Sequence, residues 1–377
     1  MKGHIRKRGN KYAIVVDLGR DHNGKRKQKW FSGYEKKKDA EKDLPRILNE
    51  IYQGTFIEPT KEKFSNYLDD WLKIKKNNIK LTTLDTYQRM IKNHIQPGIG
   101  HIELSKLNPI HLKKFYNELL EEKELAEASI RKCHTIMQAA LNDALTDGFV
   151  NRNIASLVKP PRIPKTEIKI WDEEQLNIFL SAVKGDRLYI AFFLAAATGM
   201  RRGEVLGVRW RDIDFERKLL SVIQTITAFG TSAETKTLTS RRMIDIDEIT
   251  ISALKKQKKL IAQDKLLAGM EYEDHDLVVC TALGKPMNPR NVNRKFYSVL
   301  DKLKIPKIRL HDVRHTHASL LLRHGTPVKV VQERLGHASA KTTLDTYGHL
   351  IPGMQSDAAA NFSKNVFNEK SVFQNEC

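Results

Sequence analysis

The sequence predicts a multidomain fold: a small basic β-sheet plus helix (α+β) at the N-terminus, an all-α helical bundle in the middle, and a mixed α+β domain at the C-terminus. Three observations carry this. Period-two alternation appears in residues 11–32 and again only beyond residue 217, every apolar stripe between 64 and 155 has helical spacing, and a proline-rich stretch divides the chain. The expected boundaries are 1–60, 61–158, a linker at 159–170, 171–355, and a tail at 356–377. With 377 residues, 40% of them hydrophobic, each part has enough apolar material for a core.

In the first part, Tyr12, Ile14, Val16 and Leu18 alternate along a strand from Lys11 to Gly19. Asn23-Gly24 marks a turn, and a second strand runs from Arg26 to Ser32, with Trp30 facing away from its neighbours. Residues 34–52 have helical spacing, with Leu44, Ile47, Leu48 and Ile51 on one face, and Pro45 is expected near the start of this helix or at a break in it.

Four apolar stripes make up the bundle. They are Phe64, Leu68, Trp71, Leu72; Tyr87, Met90, Ile91, Ile95; Leu112, Phe115, Tyr116, Leu119, Leu120; and Ile130, Cys133, Ile136, Met137, Ala140, Leu141, Leu145. Asn108-Pro109 is a start signal for the third helix. Lys73, Lys75, Lys76 and Lys80 suit either phosphate contact or a solvated face. The linker carries Pro160, Pro161 and Pro164 among lysines and arginines, a stiff composition. Beyond it, helices are expected at 172–183, 188–197, 249–262, 289–303, 311–324 and 328–335, with strands at 218–227 and 241–246.

Charge narrows the partners. There are 65 Lys and Arg against 45 Asp and Glu, a formal net +20, and the first 38 residues hold 13 Lys and Arg against 3 Asp and Glu, a net +10. Cations that neutralise phosphates release condensed counterions, so nucleic acid is the leading partner. Arg6, Lys7, Arg8, Lys25, Arg26, Lys27 and Lys29 are the DNA-binding candidates; a solvated hairpin with a basic tail is the competing interpretation. The longest apolar run, 188–197, is too short to span a membrane, and the N-terminus shows no apolar segment behind its charges. A cytoplasmic, nucleoid-associated protein is expected. Cys133, Cys280 and Cys377 are too scattered for a disulfide framework or a zinc site.

The residues that carry chemistry fall in order: Thr198-Gly199-Met200-Arg201-Arg202-Gly203-Glu204, Thr235-Lys236-Thr237, His311-Asp312-Val313-Arg314-His315-Thr316, Leu335-Gly336-His337, and Thr342 to His349 around Tyr347. Two arginines, two histidines, a lysine and a tyrosine suffice to break a phosphodiester without a metal or other cofactor. Guanidinium forks match the charge that develops on the phosphate oxygens, a tyrosine can attack once its proton is removed, and a lysine can protonate the leaving oxygen. On the residues alone, Arg202 competes with Arg201 as the clamp. A metal site at His311 and His315 is disfavoured because neither a cysteine nor an H-E-x-x-H arrangement is nearby. His315, His317 and His324 are expected to be structural or solvent-facing.

This ordered set resembles the tyrosine recombinase family, and the whole chain looks like its phage-type and conjugative-element integrases. The resemblance implies a site-specific DNA recombinase that works through a covalent 3′-phosphotyrosine and a Holliday junction, integrating and excising a phage or other mobile element. It further implies an arm-type DNA-binding domain, a SAM-like core-binding domain and a catalytic domain, acting as a homotetramer on double-stranded DNA. A host DNA-bending protein and an excisionase are the accessory partners it suggests. Carried over by position, Arg201 and Arg314 clamp the phosphate, His311 and His337 hydrogen-bond it and assist proton transfer, Lys236 protonates the leaving 5′ oxygen, Tyr347 is the nucleophile and Glu204 supports the site. A type IB topoisomerase and a non-catalytic DNA-binding regulator are the alternatives. Gly348 departs from the β-branched or polar residue common after the tyrosine.

Overall fold

The computed structural model describes residues 3–20, 26–53, 60–164, 168–232, 241–347 and 362–363; for 18–20, 26–27 and 231–232 only the backbone is described. Two compact units divide the chain, Met1–Lys165 and Thr166–Cys377.

The first unit begins with an antiparallel sheet in the order β1 (Gly3–Arg8), β2 (Lys11–Arg20), β3 (Arg26–Tyr34). Helix α1 (Lys37–Tyr52) buries Ala40 and Ile47 against Ile14 and Val16 of the central strand. Pro45 lies inside this continuous helix, neither starting nor breaking it. One missing N–H is tolerated because Leu44, Leu48 and Ile51 still pack on the sheet.

The strand alternation is also corrected. Ala13 and Val15, on the face away from α1, are as buried as Ile14 and Val16. Register explains it: Val15 pairs with His4 and Trp30, and Ala13 with Arg6 and Ser32, so larger neighbours cover two small residues. Arg6 lies over the Trp30 ring at 5.7 Å. The open face therefore carries His4, Arg6, Arg8, Lys11 and Trp30, whereas Lys7 and Lys29 share α1's side of the sheet. Lys25 lies outside the described residues, as do the side chains of Arg26 and Lys27.

The bundle comprises α2 (Phe64–Lys75), α3 (Leu81–Met90), α4 (Gln96–Ile99), α5 (Pro109–Asn117) and α6 (Glu127–Thr146). A π turn at Ile91–Ile95 joins α3 to α4, and a second at Glu118–Glu122 extends α5. The four stripes form one core, although Leu120 and Leu145 are exposed at its rim. Asn108 Oδ1 accepts from the backbone N–H groups of Ile110 and His111 and so caps α5. Lys73 pairs with Asp70, and Lys75 with Asp143.

The second unit surrounds an aromatic core of Trp171, Phe179, Phe192 and Phe296. Trp171 anchors it by donating from Nε1 to the Pro306 carbonyl at 2.8 Å. Its elements are α7 (Glu173–Ala182), α8 (Tyr189–Thr198), α9 (Arg202–Leu206), β4 (Ile213–Asp214), β5 (Leu219–Val222), β6 (Thr225–Thr227), β7 (Gly230–Ser232), β8 (Arg242–Asp245), α10 (Glu248–Ala268), α11 (Pro289–Leu300), α12 (Asp312–Arg323), α13 (Val328–Leu335) and α14 (Ala340–Tyr347). Asp172 and Gln175 form a reciprocal capping box at α7.

The strand expected at 218–227 is two strands in two sheets. β5 lies between β4 and β8, while β6 pairs with β7. The break falls at Gln224, whose side chain is buried and donates to the Gly207 carbonyl. The helix expected to end at 262 continues to Ala268, and α11 stops at Leu300. Replacing Phe179 with Ala should lower the stability of this unit by about 3–5 kcal/mol, read from its denaturant midpoint, because three aromatic rings would border the void.

Candidate active site

The apolar helix α8 ends at Gly199 with φ 65°, a left-handed turn. A Cβ there would meet His317 at 2.6 Å and Leu335 at 2.7 Å, so only glycine allows both the turn and the close approach of α12 and α13. The chain leaves this turn directly into Arg201, which precedes α9. Glu204 accepts from the Arg201 backbone N–H at 3.0 Å and from Arg201 Nη1 at 2.9 Å. The same carboxylate accepts from Arg242 Nη2 at 2.9 Å, and Arg242 Nε donates to the Arg334 carbonyl at 2.7 Å.

Glu204 is thus a buried acid shared by two guanidinium groups. Burial alone would push its carboxyl up; the Arg242 hydrogen bond and the charges of Arg242 and Arg201 outweigh that and hold it below its ordinary value.

Arg314, on α12, is 3% exposed. Nη1 donates to the Gly199 carbonyl at 2.8 Å and Nη2 to the Leu335 carbonyl at 2.7 Å, the terminal carbonyls of α8 and α13. Burial first, then Arg201, pulls its pKa down, with Glu204 opposing. An arginine still keeps its charge under such pressure, so this is a cation held by dipoles with little counter-charge.

His311 opens α12 and lines a pocket of about 390 Å³ with Arg201, Arg202, Asn293, Tyr297 and Arg309. Burial, then Arg314, lowers its pKa. His337 follows the left-handed Gly336, and its Nδ1 is 2.9 Å from Thr343 Oγ1. Burial, with Arg314 and Arg201, pushes it down to about 4.

Tyr347 ends α14 with no exposed surface. Its hydroxyl lies 2.6 Å from His315 Nδ1. Burial pushes the phenol up to about 12, with Arg314 acting in the opposite direction.

Arg201, Glu204, His311, Arg314, His337 and Tyr347, drawn from four separate motifs, therefore occupy one electrostatically coupled cluster. Lys236 lies outside the described residues. Two members escaped the sequence reading. Arg242 had only an Arg-Arg pair in a strand to announce it. His315 was expected to be structural or solvent-facing, yet it contacts the tyrosine hydroxyl; nothing in its spacing distinguishes it from His317, which is structural. His317 Nδ1 donates to the Ala196 carbonyl at 2.8 Å while Nε2 accepts from Arg334 Nε. His324 is exposed beside Glu173.

Residues 169–353 match the Phage integrase family, residues 63–120 the phage integrase N-terminal SAM-like domain, and residues 4–51 an Arm DNA-binding domain. The ICEBs1 integrase of Bacillus subtilis is 30% identical over 277 residues, which cover 72% of this chain and 74% of that protein. The chain belongs to the phage integrase family of tyrosine recombinases. Its enzymatic class is site-specific recombination. The tyrosine recombinase XerC-like protein of Caldanaerobacter subterraneus is 29% identical over 370 residues, 92% of this recombinase and 94% of that protein. Its fold is that of the Tn1549 transposon integrase solved with circular intermediate DNA, at TM-score 0.65, 20% identity, and coverage of 80% and 99% of the two chains. The lambda integrase dimer bound to a core site aligns at TM-score 0.60 and 19% identity over 91% of this chain and 94% of that one.

Replacing Glu204 with Gln should destabilise the unit at neutral pH by about 3–5 kcal/mol, because the buried Arg242 keeps its charge and loses the Glu204 carboxylate. The folded carboxyl lies below its ordinary value of about 4.3, so its contribution is present above that value and disappears as pH falls through the folded pKa. Denaturant midpoints at neutral and acid pH should therefore differ less in the variant than in the wild type.

Proposed function

We propose that Tyr347 is the nucleophile of DNA strand cleavage and rejoining at specific attachment sites, through a 3′-phosphotyrosyl bond and a four-way junction, in the integration and excision of a mobile element. The observation that carries this is the cluster of Arg201, Arg314, His311 and His337 around the Tyr347 end of α14. Attack on a phosphodiester gathers charge on its non-bridging oxygens. Two guanidinium groups, one anchored on helix-end carbonyls and one on Glu204, are suited to receive that charge without reorganising. His311 and His337 donate to the same oxygens, and Lys236 delivers the proton to the leaving 5′ oxygen. The phosphodiester energy is conserved in the tyrosyl linkage, so rejoining needs no external energy source.

The open face of the N-terminal sheet, with Arg6, Arg8 and Trp30, reads arm-type sites, and the bundle binds core sites. Sheet faces of this kind enter grooves, where base edges set specificity and phosphates set affinity. A homotetramer on two duplexes is the working assembly. A lambda integrase tetramer has been solved bound to a Holliday junction, with TM-score 0.58 to this chain at 19% identity. A host DNA-bending protein and an excisionase complete the proposed partners. Among the described residues, no helix is long and apolar enough to cross a membrane.

A nicked suicide duplex should trap a covalent protein–DNA adduct with the wild type and none with Tyr347→Phe; an equal adduct with the variant removes Tyr347 from the chemistry. Arg314→Lys should slow adduct formation by about 100-fold or more, since an ammonium cannot reproduce the fork. Deleting residues 1–60 should abolish recombination of arm-containing sites while leaving core-site cleavage measurable, as a gel assay of both substrates would show.

A further inference from the structure

We propose that His315 is a further catalytic residue of this recombinase: its Nδ1 takes the Tyr347 proton as the phenolic oxygen attacks the scissile phosphorus. The proposal rests on the reading of Tyr347 as nucleophile. The histidines of the active-site cluster divide by position. His311 lines the open pocket with Arg201 and Arg202, where a phosphate would enter, and His337 Nδ1 is engaged by Thr343 Oγ1. His315 Nδ1 is 2.6 Å from Tyr347 Oη, with ring centroids 5.5 Å apart. Its own ring stands edge to face with that of His311 at 5.2 Å. The order from pocket to nucleophile is therefore His311, His315, Tyr347.

The groups facing His315 are His311, Asp312 and Arg314 on its helix, Arg309 before it, and His337 and Tyr347 from the segments packed against it. Burial first, then His311, pushes its pKa down to about 4, with Asp312 opposing and the arginines adding. At neutral pH it is an unprotonated acceptor. Asp312 is buried and held by Arg309, and its carboxylate is placed to steady the imidazolium once that forms.

The atoms balance as follows. With the resting tautomer carrying its hydrogen on Nε2, the Tyr347 O–H bond breaks and the proton passes to Nδ1. The Oη–P bond forms, the P–O5′ bond breaks, and O5′ leaves with the proton of the general acid, for which Lys236 is the candidate. Rejoining reverses each transfer, and Nδ1–H returns its proton to Oη.

Wild type, His315→Asn and His315→Ala are compared on the nicked suicide duplex from about pH 5.5 to about pH 9. Asn keeps an acceptor near the Nδ1 position but cannot carry the proton. The wild-type rate of adduct formation should be nearly flat. Both variants should be slower by about 100-fold at neutral pH and climb about tenfold per pH unit, because tyrosine must then ionise unaided. DNA binding, followed by gel shift, should be unchanged. A near-normal rate with Asn would reduce His315 to a positioning residue and overturn the proposal. So would rescue of either variant by a 5′-bridging phosphorothiolate, whose sulfur leaves without a proton, since that would place His315 on the leaving-group side. A wild type that forms no adduct, or an equal adduct with Tyr347→Phe, overturns the nucleophile reading and this proposal with it.

Discussion

The second unit depends on one buried cation, Arg314. Arg314 spans from the carbonyl that ends α8 to the carbonyl that ends α13, so three helices meet on one guanidinium. Those carbonyls are helix-terminal acceptors with no intrahelical partner, and the arginine satisfies them while they orient it. Desolvating such a charge costs several kcal/mol when no anion accompanies it. Glu204 is near but committed to Arg201 and Arg242. In the proposed chemistry a phosphodiester oxygen placed beside this guanidinium would supply the negative charge that the carbonyl dipoles do not.

Tyr347, the proposed nucleophile, shows the complementary arrangement. Tyr347 is enclosed, hydrogen-bonded and protonated, with its phenol pushed up to about 12. Arg314 acts to lower the phenol but burial outweighs it, so in the proposed chemistry Tyr347 needs a base within reach.

Much of this was legible in the sequence because it is local. The bundle helices followed from four stripes of apolar residues, and Asn108-Pro109 located a cap correctly. Arg201, Glu204, His311, Arg314, His337 and Tyr347 were singled out by the order of their motifs, and they lie in one electrostatically coupled cluster, whose catalytic roles are the proposal made above. What spacing could not show depends on tertiary partners. Pro45 was misplaced because a lost backbone hydrogen bond is offset by packing against a sheet. Ala13 and Val15 are buried by cross-strand neighbours that no alternation rule encodes. His315 and His317 sit two residues apart on one helix, so one turns toward a phenol and the other toward a carbonyl, and only the fold distinguishes them.

The shared carboxylate of Glu204 has a consequence for how such a protein varies. Arg242 fixes the start of β8 twice, by pairing with β5 and by its bond to Glu204. The same carboxylate also holds the Arg201 backbone N–H after the turn that ends α8, so a change at Glu204 is felt at two separate stretches of chain at once. This position therefore tolerates less variation than a surface acid whose pairing serves one neighbour.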